Sequence, residues 1–298
     1  PLLWKNPNVR LPTEQSFKVA YKCLKVMETH LIKNNMFGEA KAEIENLISK
    51  GYAQEVSNDL IKNPTEKAYY NPIFFIKPPE KRTRMIWNAA ADIGGGVTLN
   101  SFLLRGPNLY NSLATMLYKM CENKYIIKGD ISEMFHRVGI IEEDRDALRF
   151  LFSDKPGGLP KIYQMNRMVF GVVSCPTIAQ YIMRKIAKDS KIEYPNAYET
   201  INNDFYVDDW LKSVNSLEEG QRLVADVKRV LAKGEFHITK LNSNHKNMLD
   251  IVRLELSDEE KQNEKIFSLE IKEKILGYVL NFETDEIELS LKLTKIQN

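Results

Sequence analysis

No apolar run in this chain approaches the roughly 20 residues needed to cross a bilayer, and the N-terminus lacks the charged-then-apolar order of a secretory signal. Cysteine is scarce: Cys23, Cys121 and Cys175 are scattered and form no C-x-x-C pair. That excludes a disulfide framework and a zinc site of the usual spacing, and a reducing compartment is expected. None of the four histidines, His30, His136, His237 and His245, has a ligand-like spacing. Gly94, Gly95 and Gly96 do not make a G-x-G-x-x-G fingerprint opening a helix, so they read as a loop rather than a phosphate cradle. Nor is one sign of charge in excess. With 42 basic against 40 acidic residues the net charge is +2, too small by itself to indicate a nucleic-acid partner. There is no internal repeat and no low-complexity tract.

What is present suffices for more than one compact unit: 298 residues, 43% of them hydrophobic. A chain beginning at Pro1 reads as cut from a longer polypeptide. Apolar spacing predicts two opening amphipathic helices, over 14–31 and from Phe37 to about Ile48, before Gly51. Ile73–Ile76 and Met85–Trp87 read as a hairpin with a basic tip, where Lys77, Lys81, Arg82 and Arg84 cluster. Further expectations are a helix from about Leu109 to Met120, a strand from Tyr125 ending at Asp130, strands at 148–152 and 162–169, and a helix from Pro176 to about Lys188. Ser216 and Glu219 make a capping box for a helix ended by Gly234. A strand over 236–241 follows, then an acidic stretch with Asp258, Glu259, Glu260 and Glu264 that reads as a solvated loop. Lys274–Asn281 and Glu286–Leu291 read as a closing hairpin. The pattern is α+β: an antiparallel sheet backed by helices.

Two adjacent acids, Asp208 and Asp209, lie between the apolar runs Phe205–Val207 and Trp210–Leu211. A two-residue polar interruption of this kind favours a tight hairpin with both acids at its tip. Hard divalent cations take such oxygen ligands. The gap back to Asp130 has room for two strands and a helix, so an adjacent strand could bring three carboxylates together. Asp130 taken alone reads more readily as a helix N-cap, with Glu133 three positions on, and Phe135 alone reads equally as an ordinary core residue.

Asp130 with Phe135 five residues later, Phe170-Gly171 leading to Pro176, the Tyr206–Asp209 hairpin, Lys240 and Leu276-Gly277 resemble the ordered motifs of retroelement reverse transcriptases. Leu11-Pro12, Lys50-Gly51-Tyr52-Ala53, Leu99-Asn100-Ser101 with Gly106-Pro107, the run Glu143–Phe150, and Thr239-Lys240 with Ser243-Asn244 are most similar to the BEL/Pao class of long-terminal-repeat retrotransposons. Each string is weak alone, whereas their shared order is specific. The resemblance implies a right-hand polymerase fold, with an extension and fingers over 1–108, palm over 109–265 with interleaved fingers segments, and a primer-grip hairpin and start of thumb over 266–298. It implies RNA-directed DNA polymerase activity with two Mg²⁺ ions, Mn²⁺ substituting, held by Asp130, the Ile131 carbonyl, Asp208 and, less directly, Asp209. Lys77, Arg84 and Lys240 are implied at the triphosphate and Phe135 as a steric gate against a ribose 2′-hydroxyl. Phe170 is implied near the nucleotide sugar, and Leu276, Gly277 and Tyr278 at the primer grip. Expected partners are an RNA or DNA template with primer and deoxynucleoside triphosphates, with no membrane. No aspartic-protease motif, integrase-type zinc arrangement or RNase H segment is recognisable, so those activities of the Pol polyprotein are expected outside this chain. Localisation is expected to be cytoplasmic, in virus-like particles or not, with the nucleus not excluded. Two alternatives stay open: a decayed or domesticated nucleic-acid-binding module, and an RNA-dependent RNA polymerase, against which Phe135 argues.

Overall fold

The computed structural model describes residues 1–78, 82–250, 272–275, 278–281 and 286–289. Helices α1 (Thr13–Lys33) and α2 (Phe37–Ser49) precede β1 (Ala53–Glu55), the short α3 (Asn58–Lys62), and strands β2 (Ile73–Ile76) and β3 (Arg84–Trp87). Helix α4 (Leu113–Met120) and β4 (Tyr125–Ile131) come next, then α5 (Glu142–Arg145), β5 (Arg149–Ser153), β6 (Pro160–Met165), α6 (Cys175–Asp189) and α7 (Pro195–Asn203). The chain continues through β7 (Phe205–Tyr206), β8 (Asp209–Val214), α8 (Leu217–Ala232), β9 (Ile238–Ser243), β10 (Lys272–Ile275), β11 (Tyr278–Asn281) and β12 (Glu286–Leu289). These fall into two compact units. The first comprises Pro1–Leu109 and Glu133–Ile182, the second Tyr110–Ser132 and Met183–Asn298.

In the first unit β1, β6 and β5 form an antiparallel sheet in that order, and β2 pairs with β3 as a separate hairpin. Its core is aromatic. Phe152 meets Phe37 at 5.6 Å and Phe75 at 5.9 Å, while Phe150 meets Trp87 and Tyr163, each at 5.3 Å. Three charges of the run Glu143–Phe150, Asp144, Asp146 and Arg149, are buried hubs, while Glu143 stays exposed. Asp144 accepts from the Leu2 N–H, the Trp4 indole and Lys67. Arg149, fully buried, donates to Asp146 at 2.9 Å, to the Tyr70 hydroxyl at 3.0 Å and to the Leu60 carbonyl at 3.0 Å. Asp146 in turn accepts from the Thr65 hydroxyl at 2.7 Å.

In the second unit one antiparallel sheet runs β7-β8-β4-β9. Alternation along β4 sends Ile127, Gly129 and Ile131 to one face and Ile126, Lys128 and Asp130 to the other. Met116 and Met120 of α4 pack on Ile126 and Leu211 and so cover the Asp130 face at its far end. Trp210, opposite Gly129, is fully buried on the reverse face. Ser216 caps α8 by accepting from the Glu219 N–H, and the Glu219 carboxylate returns to the Asn215 N–H rather than to that of Ser216.

Several boundaries differ from expectation. Helix α4 starts four residues late because Ser112 caps it, accepting from the Thr115 N–H. Strand β6 ends at Met165, and α7 was not anticipated from the polar segment that forms it. The segment 274–281 is not one strand, since β10 and β11 pair with each other on either side of 276–277, and β11 then pairs with β12 as expected. The acidic stretch at 258–264 and the basic tip at 79–81 lie outside the described residues.

Arg149→Met should destabilise the fold by about 3–5 kcal/mol, because it strands a buried Asp146 carboxylate and the Leu60 carbonyl. Adding Asp146→Leu should recover part of the loss. Denaturant midpoints of both variants test this, and a loss under about 1 kcal/mol for Arg149→Met contradicts it.

Candidate functional site

The β4–β8 register places Asp130 directly opposite Asp209, and the Ile131 N–H donates to the Asp208 carbonyl at 2.9 Å. Opposed residues share a face, so both carboxylates rise from the sheet surface that α4 covers farther along. The hairpin tip is not the Asp208-Asp209 pair expected from sequence. Tyr206 pairs with Asp209, so the two turn residues are Val207 and Asp208, and Asp209 is the first residue of β8. Val207 occupies the left-handed region at φ 57°, where a β-branched residue is strained. The shift arises because Trp210 fits against Gly129, where a Cβ would lie 3.3 Å from the indole and 2.9 Å from Ile238.

On the other side of β4 the ladder with β9 shifts register between Lys128 and Asp130. Opposite Gly129, β9 thus supplies two residues, Lys240 and Leu241, and Lys240 adopts φ 52°. Bulges of this kind re-aim a side chain. Here the Lys240 ammonium reaches Asp130 at 2.7 Å. Burial, opposed by a hydrogen bond to its own backbone and reinforced by the Asp130 charge, raises the Asp208 carboxyl above the ordinary range. Burial and then the charges of Asp208 and Asp130 push Asp209 up to about 6, against the opposing pull of Lys128 and Lys240. Among the described residues no three histidine, cysteine or acidic side chains are grouped closely enough to hold a metal ion as they stand. The donor chemistry nonetheless fits a hard divalent cation. The oxygens are carboxylates that disfavour one another's charge, and Asp130 is held by a displaceable ammonium.

The N-cap reading of Asp130 fails, since β4 continues through Ile131 and Glu133 points elsewhere. Glu133, at φ 51°, accepts from Lys50 at 2.8 Å and the Tyr52 hydroxyl at 3.1 Å, with Arg82 at 3.7 Å and Arg137 at 3.8 Å. Burial acts to raise its carboxyl, but Lys50 and the Tyr52 hydroxyl bring it below the ordinary range. Sequence reasoning missed this hub, and a lone glutamate carries no signal for it.

Of the remaining expected residues, Ile131 is buried and pairs with Ile238. Phe135 is buried in the first unit, edge-on to Phe170 with centroids 4.3 Å apart, while Phe170 is 62% exposed. Gly171 follows at φ 97°, where a Cβ would lie 2.6 Å from the Trp87 carbonyl. Asn100 clamps this corner, donating to the Gly171 carbonyl and accepting from the Val173 N–H, each at 2.9 Å. Its role was not legible from Leu99-Asn100-Ser101 alone. Lys77 pairs with Glu39, which also accepts from the Thr83 hydroxyl. The Arg84 side chain is exposed and makes no hydrogen bond or ion pair among the described residues, its backbone pairing with Ile76. The structure therefore brings together Asp130, Ile131, Asp208, Asp209 and Lys240 in one unit, and Phe135 with Phe170 in the other. Leu276 and Gly277 lie outside the described residues, and Tyr278 begins β11.

The family model described as reverse transcriptase (RNA-dependent DNA polymerase) matches residues 84–247, more than half of the chain. Among solved structures, a foamy viral protease-reverse transcriptase in complex with double-stranded DNA is 15% identical, with a TM-score of 0.55 over 82% of this chain and 34% of that one. The foamy viral protease-reverse transcriptase with an RNA/DNA hybrid is 14% identical, with a TM-score of 0.54 over 83% of this chain and 26% of that one. A further complex with double-stranded DNA, 13% identical, gives 0.54 over 97% of this chain and 44% of that one. The chain thus spans less than half the length of these relatives. At this identity the likeness shows the fold, and it agrees with the α+β right-hand polymerase expected, fingers and palm. No curated protein sequence matches the chain.

His136, tilted against the Tyr52 ring with centroids 5.1 Å apart beside the Glu133 hub, is lowered from 6.5 to about 4 by burial, against the pull of Glu133. The unfolded chain binds this proton more readily, so His136's contribution is complete above pH 6.5 and lost as pH falls toward 4. It amounts to at most about 3 kcal/mol. Thermal unfolding at pH 7 and pH 5 should show a smaller difference in His136→Gln than in the unaltered protein, and equal differences contradict the assignment.

Proposed function

Because this chain belongs to the reverse transcriptase (RNA-dependent DNA polymerase) family, we propose that it catalyses template-directed DNA synthesis. A primer 3′-hydroxyl attacks the α-phosphate of a deoxynucleoside triphosphate and pyrophosphate leaves. The observation that supports this best is the placing of Asp130 opposite Asp209 with Asp208 in the adjoining turn, three acids on one end of one sheet. Two divalent ions, Mg²⁺ or Mn²⁺, would supply activation of the attacking oxygen and neutralisation of the leaving charge. Asp130 and Asp208 are the principal residues to hold them, with the Ile131 carbonyl and Asp209 assisting. Lys240, which pairs with Asp130 at 2.7 Å, would lie beside the ions they hold and is assigned to the triphosphate. Lys77 and Arg84 are assigned to the triphosphate, as a compact ammonium and a forked guanidinium complementing phosphate oxygens. Phe135 is assigned to exclusion of the 2′-hydroxyl, Phe170 to the sugar, and Leu276, Gly277 and Tyr278 to the primer.

We further assign the chain to a BEL/Pao-type retrotransposon, on the order of its short strings. An N-terminal extension and the fingers are assigned to 1–108, the palm with interleaved fingers segments to 109–265, and the primer-grip hairpin with the start of the thumb to 266–298. The remainder of a Pol polyprotein, with a cytoplasmic or particle-enclosed location, belongs to the same assignment. Template contacts are proposed to be mainly to backbone and shape, because a polymerase must accept every sequence. A decayed binding module is disfavoured by the presence of all three acids.

Asp130→Asn and Asp208→Asn should each lower primer extension by at least about a thousandfold with unchanged circular dichroism, since each removes charge at nearly constant volume. Near-normal extension by either variant would sink the assignment. Phe135→Val should lower the ratio of kcat/KM for dNTP to that for rNTP by about tenfold or more. If the ratio does not move, Phe135 serves only to pack against Phe170.

A further inference from the structure

Phe135 and Phe170 meet edge-on in the first unit, yet they present very different surfaces: Phe135 is 3% exposed and Phe170 62%. A group arriving from solvent therefore touches Phe170 first, and Phe135 is the stop behind it. Among the described residues this is the one ring contact that Phe170 makes. A ring so exposed has little packing of its own to hold it, and its place is set by the backbone that carries it.

That backbone is gripped from two sides. Phe170 leads straight into Gly171, whose positive φ and close approach to the Trp87 carbonyl require glycine. On the other side stands the Asn100 amide. Its Nδ2 donates to the Gly171 carbonyl and its Oδ1 accepts from the Val173 N–H, so one side chain spans the peptide groups on either side of the buried Val172. Both halves of the amide are in use, and an aspartate would supply the acceptor alone. Asn100 is itself anchored. Its N–H donates to the Ala89 carbonyl at 3.1 Å, and its carbonyl accepts from the Leu103 N–H at 3.2 Å. It lies in the short 3-10 turn Leu99–Phe102, which a capping box between Thr98 and Ser101 closes and the fully buried Leu99 fastens to the core.

We propose that Asn100 is a positioning residue for sugar selection: by fixing the corner Gly171–Val173 it holds the Phe170 ring against Phe135, and the two rings together make the wall that turns away a ribose 2′-hydroxyl. The inference rests on the polymerase reading above. It adds that the surface a sugar meets is Phe170, and that a residue acting through the backbone sets it. Without the amide the corner relaxes and the ring moves, which opens space beside the 2′ position. A ribonucleotide gains from that space, whereas a deoxynucleotide has nothing there to collide.

The experiment compares Asn100→Ala, Asn100→Asp, Phe170→Ala and Thr98→Ala in the full chain. In primer extension, Asn100→Ala and Phe170→Ala should each lower the ratio of kcat/KM for dNTP to that for rNTP by about fivefold or more, mainly through a smaller KM for rNTP. Asn100→Ala combined with Phe170→Ala should fall no further than Phe170→Ala, because both act through one ring. Asn100→Asp sets a carboxylate against the Gly171 carbonyl and should not restore the ratio. Thr98→Ala removes the cap of the same turn and leaves the amide contacts in place, so it should lower the thermal midpoint with the ratio unchanged. A merely structural role for Asn100 would make these two variants alike. Amide hydrogen exchange over 170–174 reads the corner without catalysis, and it should quicken by about tenfold or more in Asn100→Ala and not in Thr98→Ala. If the unaltered chain copies no primer, the polymerase reading fails and sugar selection with it. If it copies primers, this inference alone is overturned by an unmoved ratio in Asn100→Ala, an equal fall in Thr98→Ala, additive losses in the double variant, or unaltered exchange over 170–174.

Discussion

In an antiparallel ladder the side chains of directly opposed residues share a face, and setting Asp130 against Asp209 therefore decides where every other group of the acidic end can lie. A slip of one residue between β4 and β8 would turn Asp209 to the reverse face and bring Trp210 out of the core. Gly129 guards against that slip. With no side chain it leaves the space that the Trp210 ring, Ile238 and Leu241 fill from the reverse face. The same packing that buries the largest aromatic side chain of the sheet thus holds the carboxylates in register, and stability and chemistry rest on one contact.

Around that register the backbone is distorted at two points. Val207 in the turn and Lys240 in the bulge both occupy the left-handed region, at about 1–3 kcal/mol each. Each distortion brings a group to Asp130 that regular geometry would send elsewhere. The turn carries Asp208 next to Ile131, and the bulge carries the Lys240 ammonium to the carboxylate. The acids are mutually unfavourable as anions, and the cation between the strands offsets part of that repulsion. The end of the sheet is accordingly arranged to accept positive charge.

Much of this was legible in the sequence because strand periodicity and turn chemistry are local. The helices α1, α2, α6 and α8, the β2–β3 hairpin and the delivery of Asp130 by a strand all follow from apolar spacing and caps. The position of the hairpin tip was misread by one residue because Asp favours turns and Val does not. Tertiary packing of Trp210 overrode that local preference. Glu133 and Asn100 were missed for a different reason. Their partners, Lys50 and Gly171, are far away in sequence, and nothing in a short string marks a glutamate or an asparagine as a hub. Asp144, Asp146 and Arg149 were noticed as a string but not as buried charges, since charged residues are ordinarily exposed.

The burial of Asp144 also has a bearing on how the chain assembles during synthesis. Its carboxylate binds the backbone of Leu2 and the indole of Trp4, so these two residues have no resting place until about 140 further residues have been made. In between, residues 110–132 leave for the second unit, whose sheet in turn waits for β8 and β9. Neither unit is a continuous stretch, and vectorial folding from the N-terminus, one unit completed before the next begins, is closed to this topology. Long loops must close first. An emerging chain of this kind keeps its amphipathic α1 and the β2 edge uncovered for an extended interval, which makes early aggregation the natural competitor of folding.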